Sequence, residues 1–136
     1  NPDEVARDLT GSGPARDLAA GRRVLERLDA LIAARAHIVL ETTLATRSLA
    51  RRLRACRAAG YRIELTYLRL PDAEASIARV RHRVERGGHG IPEATLRRRF
   101  PLSLDYLETV YKPLVDEWED YASREDGLVL LEMSPR

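Results

Sequence analysis

Helical segments alternate with short apolar runs along this chain, and that alternation constrains its fold more than any other feature. Three runs rich in aliphatic and β-branched residues are predicted to be strands: 37–43, 62–70 and 127–132. Segments with apolar residues at helical spacing are predicted to be helices: 1–9, 14–36, 46–59, 73–86, 93–100 and 102–121. Segments 93–100 and 102–121 form either a helical hairpin or one helix kinked at Pro101. With these two counted together, the order from residue 14 onward is α-β-α-β-α-α-β, which is typical of parallel strands covered by helices. We therefore predict an α/β fold with a three-layer parallel sheet, forming a single domain over residues 1–136.

The composition excludes several classes of protein. With 44% hydrophobic and 32% charged residues, the chain is neither membrane-like nor disordered. Cys56 is the only cysteine, so no intrachain disulfide can form. Neither a signal peptide nor an apolar run of about 20 residues is present, and we expect a cytoplasmic protein with no membrane partner. Only 5% of residues are aromatic, so a nucleic-acid partner is not expected.

A turn that holds three glycines joins two arginine-rich helical segments near the middle of the chain. Arg79, Arg83 and Arg86 stand at i, i+4 and i+7 and share one helix face, and three consecutive arginines follow on the next helix. The planar guanidinium is well suited to gripping phosphate, and glycines let a joint bend. The pattern predicts that residues 79–99, here called the basic lid, close over a phosphorylated ligand. A solvated arginine surface is the alternative, and His89 suits either a phosphate contact or a turn-stabilising hydrogen bond.

Polar residues follow the first predicted strand, where ligands bind in open parallel sheets. Glu41, Thr42 and Thr43 supply a carboxylate and two hydroxyls that can orient a sugar or a ribose. The alternative is that they only end a strand and cap the next helix. Asp3 precedes the first predicted helix, where it is either a helix cap or a general base for a hydroxyl nucleophile. No His or Cys pair has metal-ligand spacing, so no metal site is expected.

Four motifs, in this order and spacing, resemble those of bacterial zeta-toxin-like P-loop kinases, in the branch described as predicted ATPases. The resemblance covers nearly the whole chain. The motifs are Asn1-Pro2-Asp3, Glu41-Thr42-Thr43-Leu44, Arg83-Val84-x-x-Gly87-Gly88-His89-x-Ile91-Pro92 and Arg98-Arg99-Phe100.

The resemblance implies a P-loop kinase fold, ATP and Mg²⁺ as cofactors, and transfer of a phosphoryl group to a hydroxyl of a sugar nucleotide such as UDP-N-acetylglucosamine. An antitoxin protein is the implied macromolecular partner. Carried over by position, Asp3 would activate the acceptor hydroxyl, and Glu41 with Thr42 or Thr43 would contact the acceptor. The implied phosphate-stabilising residues are Arg83 and Arg98 or Arg99. In the lid, the implied positions are Arg86, Gly87, Gly88 and His89.

One motif of such kinases has no match in this sequence. The phosphate loop Gly-x-x-x-x-Gly-Lys-Ser/Thr is absent, and the only lysine, Lys112, lies in a segment without glycine. The chain starts at Asn1 without an initiator Met. In the family, this loop lies upstream of the segment that Asn1-Pro2-Asp3 resembles. We therefore expect a fragment that lacks a central strand and is inactive alone. The alternative is a non-catalytic, degenerate module that binds a nucleotide or another phosphorylated ligand through its lid.

Overall fold

The computed structural model describes residues 14–135, and these form two compact units that divide between Thr42 and Thr43. The helix predicted for residues 1–9 and the proposed base Asp3 lie outside the described residues. Each unit is described by itself below. No helix among residues 14–135 is long and apolar enough to cross a bilayer.

Among the described residues of the first unit, helix α1 spans Pro14–Ala33, so the predicted helix 14–36 is confirmed except for its last three residues. Just beyond its end, Arg35 has a φ of 53°, the left-handed conformation that helix caps usually give to glycine. The strand predicted for residues 37–43 is wrong, because this segment pairs with no strand among the described residues. A strand is held by a neighbour that satisfies its backbone groups. Without one, Val39 is 87% exposed despite its strong β-propensity.

The second unit is a mixed α/β structure with a three-stranded sheet. Its elements are α2 (Ser48–Ala58), β1 (Glu64–Arg69), α3 (Ala73–Glu85), α4 (Glu93–Tyr106), β2 (Glu117–Arg124) and β3 (Gly127–Met133). The strand order is β1-β2-β3. The parallel prediction is confirmed for β1 and β2 but is wrong for β3, which pairs antiparallel with β2. The two-residue connection Glu125-Asp126 is too short for a crossover and permits only a hairpin.

The helix predicted to extend to Tyr121 is also wrong. Helix α4 continues through Pro101, and one π turn (Leu107–Tyr111) and one 3₁₀ turn (Lys112–Leu114) follow before β2 begins at Glu117. Periodicity is ambiguous where aromatic residues recur, and the polar β2 carries no apolar run. Its pairing with β1 fixes it as a strand, because tertiary context overrides weak local preference.

The core of the second unit lies between the sheet and the helical turns after α4. Its buried members are Leu44, Ala50, Leu107, Tyr111 and Leu114. Strand β1 alternates, so that Leu65 and Tyr67 pack against this cluster while Thr66 and Leu68 are exposed. The π turn supplies Leu107 and Tyr111, each only 1% exposed, and so anchors the sheet to α4.

Candidate functional site

The end of α3 is closed by a glycine cap that lies within the basic lid. The amide N–H of Gly87 donates to the carbonyl of Val84, and that of Gly88 donates to the carbonyl of Arg83, both at 2.9 Å. These two bonds are the Schellman pattern of helix termination. Gly87 has a φ of 83°, which L side chains rarely adopt. The sequence interpretation used these glycines as a bending joint, whereas the structure gives them a fixed place in a helix cap.

The Arg83 side chain closes the same turn from outside. Its Nε and Nη2 donate to the backbone carbonyl of His89 at 3.2 and 2.9 Å, six residues further on. Gly88 passes so close to this side chain that a Cβ there would lie 2.6 Å from Arg83 Cγ and 2.9 Å from the Arg83 carbonyl oxygen. Gly88 is therefore required by close approach. In this conformation the guanidinium of Arg83 binds the protein's own backbone.

Two ion pairs join α3 to α4. Arg81 pairs with Glu93 at the start of α4, and Arg97, one turn later, pairs with Glu74 near the start of α3. Hydrogen bonding to Arg81 holds the pKa of the Glu93 carboxyl below its ordinary value of 4.5. All four side chains are substantially exposed, so each pair contributes little to stability. The pairs bridge the two arginine-bearing helices.

Four arginines of the lid remain available for a ligand. Within the part of the chain that the structure describes, their side chains make no hydrogen bond or ion pair: Arg79, Arg86, Arg98 and Arg99. Arg86 and Arg98 are exposed, and Arg99 is half-buried. Arginine is always charged, so each of these guanidiniums carries a positive charge that no described carboxylate pairs with. The structure thus separates the lid arginines that are already bound from those that can bind an anion.

An apolar cleft of about 440 Å³ lies between α3 and α4 beneath the turn. Its apolar walls come from Ile77, Val80, Val84, Ile91, Pro92 and Leu96. The Arg81–Glu93 ion pair stands at its rim. Gly90 also lines the cleft, and a Cβ there would lie 3.3 Å from Val84 Cγ2. Apolar side chains of α3, α4 and the turn therefore line the inside of the lid, and its four unpaired arginines do not line this cleft.

The segment that follows the predicted acceptor motif is held in an unusual backbone conformation. Leu44 has a φ of 53°, which is rare for a bulky residue, and its side chain is 3% exposed in the core. The hydroxyl of Ser103 donates to the carbonyl of Thr43, and the hydroxyl of Tyr67 lies 2.8 Å from Ser103 Oγ. Tyr111 donates to the carbonyl of Thr46. Backbone strain of this kind persists only where surrounding contacts over-determine it.

The predicted acceptor residues divide between the two units. Glu41 and Thr42 belong to the first unit and Thr43 to the second, and all three side chains are exposed. Within residues 14–135 no group of His, Cys, Asp or Glu side chains is arranged to hold a metal ion. The structure thus brings the lid residues together in the second unit, whereas Asp3 is outside the described residues.

Sequence reasoning missed the residues that hold the Thr43–Thr46 backbone, namely Tyr67, Ser103 and Tyr111. Ser103 sits between Leu102 and Leu104 in the sequence, and a small polar residue inside an apolar helical stretch was the one available signal. The left-handed backbone at position 44 could not be predicted from its residue type, because glycine and not leucine is expected in that conformation.

Comparison with known proteins identifies relatives for most of the chain. The family model described as Zeta toxin matches residues 16–130. An uncharacterized protein of Haemophilus influenzae is 27% identical over 99 residues, which cover 72% of this chain and 71% of that protein. No solved structure gives a significant match.

Proposed function

The chain belongs to the zeta toxin family, and on that premise we propose that it is part of a phosphotransferase that phosphorylates a hydroxyl of a sugar nucleotide such as UDP-N-acetylglucosamine. The observation that carries the proposal is the set of guanidiniums on the basic lid that have no described partner. Phosphoryl transfer depends on positioning and on neutralising the charge of the transferred group, which arginines supply.

The lid would hold the phosphate end of the donor. Arg98 and Arg99 lie on α4, which the Arg81–Glu93 and Arg97–Glu74 pairs bridge to α3. Arg99 is half-buried whereas Arg98 is exposed. A partly desolvated guanidinium interacts more strongly with an anion than one in open water. We therefore assign Arg99 the main role toward the transferred phosphoryl group and Arg98 a supporting one.

The acceptor would lie against Glu41, Thr42 and Thr43. One carboxylate and two hydroxyls suit the ring hydroxyls of a sugar. The backbone carbonyl of Thr43 is fixed by Ser103, so this end of the segment has little freedom to move. Such preorganisation is what a site needs to hold an acceptor hydroxyl in line for attack. In this scheme Asp3 is the general base for that hydroxyl.

ATP with Mg²⁺ would be the phosphoryl donor, and Mg²⁺ neutralises charge on the phosphates when it is bound. The lid arginines fit the phosphates, but the sequence has no Gly-x-x-x-x-Gly-Lys-Ser/Thr loop to cradle them. We therefore propose that transfer requires a nucleotide-binding segment in addition to these 136 residues, as in the C-terminal portion of a larger kinase domain. An antitoxin partner is part of the same proposal.

A transfer assay tests this function. The chain, joined to or mixed with a family nucleotide-binding segment, is given γ-labelled ATP, Mg²⁺ and a panel of sugar nucleotides. Asp3→Ala and Arg99→Ala should each abolish transfer while the circular dichroism spectrum stays unchanged. Arg54→Ala, an exposed arginine of α2, serves as the control and should retain activity. Wild-type turnover in Asp3→Ala would show that the base is elsewhere.

A second candidate function is favoured by the missing phosphate loop. A degenerate module would bind a nucleotide or another phosphorylated ligand through the lid without catalysing transfer. It predicts ligand binding that is lost in Arg98→Gln and Arg99→Gln, with no labelled product from any acceptor even when the nucleotide-binding segment is present. Labelled product that requires Asp3 would exclude this candidate.

A further inference from the structure

We propose that Arg83 positions the lid turn: its guanidinium clamps the His89 carbonyl and thereby sets the position of Arg86. The inference rests on the proposed function for the identity of the ligand as a phosphate. The clamp itself follows from the contacts within residues 83–89. It gives Arg83 a positioning role in addition to the direct role that its place in the motif implies.

The donors of Arg83 are directed at a backbone acceptor. Nε and Nη2 both bind one carbonyl oxygen, at 3.2 and 2.9 Å, and the carbonyl of Arg83 accepts from Gly88 at 2.9 Å. Residue 83 thus holds both ends of the turn, through its side chain at His89 and through its main chain at Gly88. Hydrogen bonds that involve a charged group are among the strongest that a backbone can make.

The sequence of the turn is built around this side chain. A Cβ at residue 88 would lie 2.6 Å from Arg83 Cγ, so only glycine leaves room for the clamp. Arg86 lies between the two ends of the clamp as the capping residue of α3, and its guanidinium has no described partner. The clamp therefore fixes the backbone on either side of a free cation. Arg86 then faces a phosphate with its backbone already ordered, which reduces the entropy lost on binding.

The clamp is tested by the rate at which trypsin cuts after Arg86. Cleavage of a locally opened segment follows the population of the open form, and loss of a charge-assisted bond should raise that rate about tenfold in Arg83→Gln and Arg83→Lys. Lysine keeps the charge but cannot donate from two points of a fork. Gly88→Ala should also accelerate cleavage, since its Cβ displaces the clamp. The matched control Arg79→Gln, one turn earlier on α3, should be cut at the wild-type rate.

Phosphate binding is measured separately with inorganic tripolyphosphate as the probe. Arg83→Lys and Gly88→Ala, which remove no charge, should weaken binding about threefold or more through lost preorganisation. The control Arg54→Gln should bind as the wild type does. Tripolyphosphate should protect the Arg86–Gly87 bond of the wild-type chain from trypsin, because Arg86 is then occupied while the clamp stays closed.

Three results would overturn the inference. Equal cleavage rates in Arg83→Gln and Arg79→Gln would show that the turn does not depend on the clamp. Faster cleavage of the wild type in tripolyphosphate would show that Arg83 leaves His89 to bind the phosphate. Unchanged tripolyphosphate affinity in Gly88→Ala would show that phosphate binding does not depend on the clamp. Absence of any tripolyphosphate binding by the wild type would refute the proposed phosphate site and the clamp's role in binding, while the cleavage rates still decide whether the clamp exists.

Discussion

Arginines of the same lid differ in what their guanidiniums contact, and this difference decides what each can do. Arg81 and Arg97 are bound to carboxylates, and Arg83 is bound to a backbone carbonyl. Arg86 and Arg99 have no partner among the described side chains. A guanidinium already paired with a carboxylate has to give up that bond before it binds phosphate. Under the proposed function, we therefore expect the unpaired arginines to contribute most to phosphate binding.

The pair between Arg81 and Glu93 gives a pH prediction at the residue scale. Arg81 lowers the pKa of Glu93, so any stability that the pair adds is present above the ordinary pKa of 4.5 and is lost as the pH falls through the lowered value. Arg81→Gln should return the pKa of the Glu93 carboxyl toward 4.5. Carbon-detected NMR titration of the glutamate side chains measures this, with Arg79→Gln as the control on the same helix. An unchanged Glu93 titration in Arg81→Gln would contradict the pair.

Tyr67 gives a second pH prediction. Burial raises its pKa above the ordinary value of 10.0, because the phenolate is disfavoured away from water. The folded state keeps this proton more tightly, so the associated stability is complete below pH 10.0 and declines as the pH rises through the raised value. The difference between the alkaline absorbance titrations of the wild type and Tyr67→Phe should show one tyrosine with a midpoint above 10.0. A midpoint at or below 10.0 would refute the prediction.

At the scale of elements, the parallel pairing of β1 with β2 encloses a charged contact. Asp120 of β2 is 1% exposed and pairs with Arg69 at the end of β1. Arg69 also reaches Glu108 on the π turn, and Glu108 accepts from Lys112, which in turn donates to Glu132 of β3. Lys112 Nζ lies 4.0 Å from the centre of the Trp118 ring. One network therefore ties both strand pairs to the turns that follow α4.

Removing one member of the buried pair should be costly. Asp120→Ala leaves Arg69 without its buried partner, and breaking a buried pair in this way costs about 3–5 kcal/mol. Urea denaturation followed by circular dichroism should show a loss of this size. Glu64→Ala, which removes an exposed ion pair between Glu64 at the start of β1 and Arg62 just before it, is the control and should cost less than about 1 kcal/mol. If Asp120→Ala also cost less than about 1 kcal/mol, the network would not stabilise the sheet.

Elements with strong local signals were predictable from the sequence, and those defined by pairing were not. The start of α1 at Pro14, the end of α2 before Gly60 and the strand β1 follow from proline, glycine and alternation. Residues 37–43 have the composition of a strand but no partner among the described strands. Strand β2 has a partner but little strand composition. Pairing is a property of distant residues, and a local pattern does not contain it.

The candidate site shows the same division. The glycine turn and its arginines were visible as a motif, because glycine and arginine are chemically distinctive. The bond from Arg83 to His89 and the bond from Ser103 to Thr43 were not, since a backbone carbonyl accepts from any residue that geometry brings near. The sequence therefore predicted the turn and its arginines, and the structure was needed to show what each guanidinium contacts.

At the scale of the whole molecule, the open question is how much of a kinase these residues provide. Among the described strands, β1 pairs on one side only, with β2. Phosphate-binding loops in α/β folds follow a strand and begin a helix, because the helix N-terminus supplies aligned N–H donors. The described elements supply guanidiniums on α4 instead, which attract phosphate but do not enclose it. Attraction of the phosphates by arginines and their enclosure by a phosphate loop are two parts of nucleotide recognition. We therefore expect experiment to separate these two contributions.

Calorimetry of the 136-residue chain with Mg-ATP measures that separation. Without a phosphate loop in the sequence, the dissociation constant should be about 1 mM or weaker, which corresponds to about −4 kcal/mol. Arginine contacts should account for what binding remains, so the double variant Arg98→Gln/Arg99→Gln should lose it, and 0.5 M salt should weaken it because exposed charges are screened. Arg54→Gln should bind as the unaltered chain does. A dissociation constant near 1 μM, about −8 kcal/mol, would mean that these residues enclose the nucleotide by themselves and that no further segment is needed.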